Sequence, residues 1–84
     1  MEVIVTKTYL KDLRKVPWHV FSAADAALER LKDAANLQSS GLDYQKYQGS
    51  KKGENYHRIR VGDRRIGAEL KHPQIIVITI LSRG

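Results

Sequence analysis

The residues best suited to chemistry are three arginines, Arg58, Arg60 and Arg65, set on either side of Val61-Gly62-Asp63-Arg64. Gly62-Asp63 is the two-residue linker of a tight β-hairpin, so the pairing can be counted outward from it. Val61 then faces Arg64, Arg60 faces Arg65, Ile59 faces Ile66, Arg58 faces Gly67, His57 faces Ala68 and Tyr56 faces Glu69. Side chains alternate across a sheet, which puts Ile59, Val61, Ile66 and Ala68 on one apolar face and the three arginines together on the other. Gly67 leaves space beside them, and Glu69 is the nearest carboxylate on their side. Like charges directly opposed, as Arg60 and Arg65 are, disfavour a hairpin by up to about 1 kcal/mol. Asp63 and Glu69 can each offset one guanidinium, which leaves a demand for an outside anion. A phosphodiester meets it through charge-assisted, often bidentate hydrogen bonds that lysine matches less well. The alternative is a set of arginine stems lying over the sheet with their heads in water.

The charge distribution points the same way. The chain carries a formal +6, yet residues 1–43 are neutral and the whole excess lies in residues 44–84, where Lys46, Lys51, Lys52 and Arg83 join the hairpin arginines. Such asymmetry is the footprint of a polyanionic partner, with nucleic acid the leading candidate. Tyr44, Tyr47 and Tyr56 are interleaved with these cations and could stack on bases, or pack on the sheet.

Other chemistries are excluded or disfavoured. Cysteine is absent, which removes disulfides, thiolate metal sites and a cysteine nucleophile. His19, His57 and His72 have neither metal-ligand spacing nor acidic companions, so no metal and no cofactor is expected. His57 falls on the core side of the hairpin and reads as structural. Gly49-Ser50-Lys51-Lys52-Gly53 lacks the spacing of a triphosphate-binding loop. No apolar run reaches the roughly 20 residues of a membrane span, and the N-terminus does not resemble a signal peptide, so a cytoplasmic protein with no membrane partner is expected.

The elements that must hold the arginines follow from periodicity. With 84 residues, 42% of them hydrophobic, the chain is long enough for one core, and residues 1–84 form a single domain. Val3-Ile4-Val5 reads as a strand, with Thr6 capping a short helix from about Lys7 whose apolar positions are Tyr9, Leu10 and Leu13. Pro17 interrupts, and Trp18 is placed at the helix junction as a packing residue. Phe21, Ala24, Leu28, Leu31 and Ala35 recur at helical spacing and predict a second, amphipathic helix, ended by Asn36 and Ser39-Ser40-Gly41. Residues 43–54 show no period and read as a loop or irregular edge. After the hairpin, His72-Pro73 makes a turn, and the run from Ile75 to Leu81 is apolar enough to be a central strand covered on both sides. The expected fold is α+β, in the order β-α-α-β-β-β, with two N-terminal helices on one face of a mostly antiparallel four-stranded sheet and a basic surface on the other.

The run Tyr56-His57-Arg58-Ile59-Arg60-Val61-Gly62-Asp63-Arg64-Arg65-Ile66-Gly67 carries a further signal. It is preceded by Lys46-Tyr47-Gln48-Gly49 and two helices, and followed by an Ile/Val strand closing in Leu81-Ser82-Arg83-Gly84. Over nearly its whole length this sequence resembles the RelE/ParE superfamily of toxin–antitoxin toxins, closest to RelE-like mRNA interferases. The resemblance implies a compact toxin silenced by an antitoxin protein and, in the RelE branch, a ribosome-dependent endoribonuclease that cuts mRNA in the ribosomal A site. Arg58, Arg60, Arg65 and Arg83 match basic positions of that branch, and Lys46, Lys51, Lys52 and Tyr56 are the accompanying candidates for RNA contact. The implied reaction is metal-independent attack of a ribose 2′-hydroxyl on the adjacent phosphorus. Arginines would stabilise the growing charge but are poor proton acceptors. Many RelE-like members supply a tyrosine, or a histidine–tyrosine pair, after the last strand, whereas this sequence stops at Gly84; Tyr56, His57, Lys46 and Lys52 are the candidate substitutes. The resemblance leaves two alternatives open: a ParE-like inhibitor of DNA gyrase, which has no catalytic residues, and a weakened homologue that binds RNA without cutting it. In each toxin reading, an antitoxin segment covers the basic face or displaces a nearby element.

Overall fold

The computed structural model describes residues 1–49 and 51–82. A first strand, β1 (Glu2–Val5), leads into helix α1 (Lys7–Leu13) and, past Pro17, helix α2 (Trp18–Asp33). A single 3-10 turn at Gln38–Ser40 precedes strands β2 (Tyr44–Lys46), β3 (Tyr56–Val61), β4 (Arg64–Lys71) and β5 (Gln74–Ser82). They form one five-stranded sheet in the order β1-β5-β4-β3-β2. β1 runs parallel to β5 and the other three pairings are antiparallel. The α+β class and the mostly antiparallel sheet agree with the sequence, but the sheet has five strands rather than four. The additional strand, β2, was hidden in the aperiodic segment because it is three residues long and has no β-branched side chain.

Thr6 starts α1. Its hydroxyl oxygen accepts a hydrogen bond from the Tyr9 amide at 3.1 Å and donates to the Ile78 carbonyl at 2.7 Å, so the helix cap is also the tie to β5. One turn later the Asp12 carboxylate accepts a hydrogen bond from the Thr79 hydroxyl. Past Pro17, α2 turns Val20, Ala24, Ala27, Leu28 and Leu31 inward, against Ile59, Val61, Ile66, Ala68, Ile75, Val77 and Ile80 of the sheet. The buried stripe is therefore rotated from the expected one. Val20 and Ala27 replace Phe21, which is exposed, and Ala35, which lies past the helix end. Trp18 is likewise no junction packing residue: it is 77% exposed and stacks on Phe21 with ring centroids 5.5 Å apart. Leu10 also stays outside, leaving Tyr9 as the fully buried residue of α1.

The β3–β4 register is the one counted from the turn, all six pairs included, with Gly62 at φ 61° allowing the reversal. β4 occupies the centre of the sheet and β5 lies beside it, with a register shift between Gly67 and Ala68. Ile66 faces Ile80, Gly67 faces Thr79 and Ala68 faces Val77, so Ile78 is the extra residue of a β-bulge. This bulge corrects the reading of the last strand as covered on both sides. Ile75, Val77 and Ile80 are buried against the helices, Ile78 and Thr79 are half-buried, and Leu81 is exposed.

Because the Thr6 hydroxyl serves two elements, Thr6→Ala is expected to cost about 1–3 kcal/mol of unfolding free energy, read from urea denaturation. A change below about 0.5 kcal/mol would show that α1 is held by its packing and the Asp12–Thr79 bond without the Thr6 tie.

Candidate nucleic-acid interface

Alternation along β3 and β4 delivers the three arginines to the face opposite the helices. Ile59 and Ile66, both fully buried beneath them, fix that orientation. Arg58, Arg60 and Arg65 line one cavity of about 130 Å³, completed by Asp43, Tyr44 and Gln45 along the approach to and through β2. A second hollow of about 100 Å³ continues this surface over the hairpin tip, between Arg60, Gly62, Asp63, Arg64 and Arg65.

Neither carboxylate expected to offset the arginines does so. Asp63 lies 3.8 Å from Arg64, and Glu69 lies 3.8 Å from Lys71. Among the described residues no carboxylate comes within ion-pair distance of Arg58, Arg60 or Arg65. Arg60 is steadied by a hydrogen bond from its Nε to the Gly62 carbonyl at 3.3 Å. Arg58 sits over the Tyr47 ring, 5.4 Å from its centroid. This cation–π contact leaves the edge of the guanidinium available to hydrogen-bond an anion. The Arg58 Nε is buried and has no hydrogen-bond partner among the described residues.

Of the remaining candidates, the lysines are not gathered with the arginines. Lys46 pairs with His57 across β2 and β3, which turns its side chain to the helix-bearing side of the sheet. Lys51 and Lys52 are exposed in the turn before β3 and line neither arginine hollow; the Lys51 amide is bonded to the Glu54 carboxylate at 3.0 Å. Tyr44 also pairs on the helix side and its ring lies against His57, whereas Tyr47 and Tyr56 belong to the arginine side. His57 is buried on the core side, with Nδ1 3.3 Å from the Asn55 carbonyl, as a structural histidine would be. Arg83 falls outside the described residues. The sequence reading missed Asp43, which no motif marks. It reaches the cavity because its carbonyl accepts the Arg60 amide hydrogen bond at 2.8 Å and pins the segment beside β3. Nearby, the charges of Glu69 and then Glu54 push the Tyr56 phenol above its usual value of 10.0. No group of histidine and carboxylate side chains among the described residues could hold a metal ion. No helix among them is long and apolar enough to cross a membrane.

No protein-family model matches the chain. A curated relative, Toxin RelE3 of Methanocaldococcus jannaschii, is 37% identical over 83 residues, which span 99% of this chain and 91% of the relative. Among solved structures, a chain of the RelB-RelE antitoxin-toxin complex from Methanococcus jannaschii is similar at TM-score 0.80 and 34% identity, covering 94% of this chain and 88% of its own length. A chain of the archaeal RelE-RelB complex from Pyrococcus horikoshii OT3 shares the fold at TM-score 0.78 and 20% identity, over 99% of this chain and 94% of its own. With more than a third of its residues shared along almost the whole of both sequences, this chain belongs to the RelE family of toxins.

Proposed function

We propose that this chain is the toxin of a toxin–antitoxin pair and cuts mRNA in the ribosomal A site, in the cytoplasm. The observation that carries this reading is the single cavity lined by Arg58, Arg60 and Arg65, none of them in an ion pair with a described carboxylate. In the reaction, a ribose 2′-oxygen bonds to the adjacent phosphorus as the bond from phosphorus to the 5′-oxygen breaks. The products are a 2′,3′-cyclic phosphate and a 5′-hydroxyl; one proton leaves the 2′-hydroxyl and one joins the departing oxygen. Guanidiniums held on two paired strands can fix the phosphate in line and stabilise its added negative charge. They stay protonated, so another group must accept the proton. Asp43 lines the same cavity, and we assign it that role. Tyr56 is less suited to it, because a phenol is already neutral at physiological pH and the charges of Glu69 and Glu54 push it further from ionisation.

A partner protein has a separate place to dock. Leu10, Leu13, Val16, Trp18 and Phe21 line an apolar groove of about 430 Å³ where α1 meets α2, with Arg14 on its wall. Lys11 and Lys15 flank Arg14 in sequence. Exposed apolar surface rimmed by cations suits an amphipathic, acidic segment of the antitoxin.

Three outcomes test these readings. Mapping mRNA 5′ ends after brief expression is expected to give codon-positioned cuts that fall at least about a hundredfold in Arg65→Ala and in Asp43→Asn. Intact mRNA together with blocked DNA supercoiling would replace the nuclease with a gyrase inhibitor. In an ultraviolet titration Tyr56 is expected to ionise above pH 10, and Glu69→Gln to lower that midpoint. The folded chain holds the neutral phenol more tightly than the unfolded chain does, so the Tyr56 contribution to stability is lost as pH rises past 10. Trp18→Ala is expected to weaken antitoxin binding by at least about 30-fold in calorimetry, as loss of a buried aromatic anchor does; unchanged affinity would place the antitoxin elsewhere.

A further inference from the structure

On the arginine side of the sheet a further, chemically different hollow adjoins the arginine cavity. It measures about 190 Å³ and its accessible lining is almost wholly apolar, with Tyr47, Tyr56, Ile78 and Leu81 among its walls and Gly67 within it. Arg58 belongs to both hollows: it lines the arginine cavity and also this slot.

We infer that the slot takes one nucleobase of the RNA while a flanking phosphate rests on Arg58 and its neighbours. This rests on the nuclease reading for the identity of the polymer, but its geometry is independent of any cleavage step. Three observations carry it. Size comes first: an apolar cavity of about 150 Å³ accommodates a benzene ring, whereas drug-sized ligands use about 300–1,000 Å³. A volume of about 190 Å³ therefore fits a single planar ring system. Second, the walls offer tyrosine rings and aliphatic side chains. The Thr79 hydroxyl, which is also at hand, is already engaged with Asp12. Such walls bind by stacking and exclusion of water, with little reading of base edges, as sequence-tolerant sites do. Third, Gly67 lines the slot without a side chain, and a Cβ there would stand 3.2 Å from Thr79 Cγ2, so any side chain would crowd this wall. The bulge at Ile78 brings that residue and Leu81 to the opposite wall.

The test compares adenosine 5′-monophosphate with ribose 5-phosphate, two probes that share the phosphate and differ in the base, by amide chemical-shift titration of the intact chain. The nucleotide is expected to bind on the order of tenfold tighter, moving the signals of Gly67, Ile78 and Leu81 as well as those around Arg58. Gly67→Val is expected to erase the advantage of the base and leave ribose 5-phosphate binding unchanged. Leu81→Ala, at an exposed position that folding tolerates, is expected to reduce the advantage and decides the matter should Gly67→Val not fold. Equal affinity for the two probes, shifts confined to the arginine cavity, or a base preference that survives both substitutions would overturn the slot. Intact mRNA alongside a retained base preference would overturn the nuclease and leave the slot standing; normal cleavage with no base preference would do the reverse.

Discussion

The structure depends on one opposition across the β3–β4 hairpin. On one side Ile59 and Ile66 face each other at zero exposure, and on the other Arg60 faces Arg65. Mutual repulsion of the two cations favours separation, and the buried pair beneath does not permit it: a one-residue slip would carry every isoleucine into water and every guanidinium into the core. Burial of a large aliphatic side chain stabilises by about 1.5–3 kcal/mol, against about 1 kcal/mol for opposed like charges. Packing wins, and the arginines are held near one another because of what lies under them. In the proposed reaction a docking phosphate would then meet positive charge already gathered during folding.

This explains what could be read in advance. The hairpin was legible because a two-residue turn and strict alternation fix register locally, so faces and partners follow by counting. The Thr6 cap, the break at Pro17 and the buried His57 were legible for the same reason, each being a short-range property. Asp43 was not, because it enters the cavity through a backbone hydrogen bond to Arg60 from a segment with no period. Lys46 was misplaced because its face is set by pairing with His57, on a strand too short to announce itself. Phe21 and Val20 fit a helical stripe about equally well, and the choice between them belongs to the contact with the sheet, which periodicity alone does not supply.

The bulge in β5 shows how a local irregularity serves the site. Opposite Thr79 stands Gly67, without a side chain, and Ile78 is inserted in the facing strand. The same feature accounts for the unbroken apolar run of the last strand, which resembles a strand buried on both faces. One set of its side chains enters the core, and another lines a hollow open to solvent.

At the far edge of the sheet, β2 offers a ladder of three residues, all exposed and ending in Lys46. A rim so short and ending in a cation is a poor template for another chain's backbone, which limits edge-to-edge self-association in a protein with an otherwise open sheet face. Recognition at that end is consequently left to side chains, and a binding partner gains little there by extending the sheet.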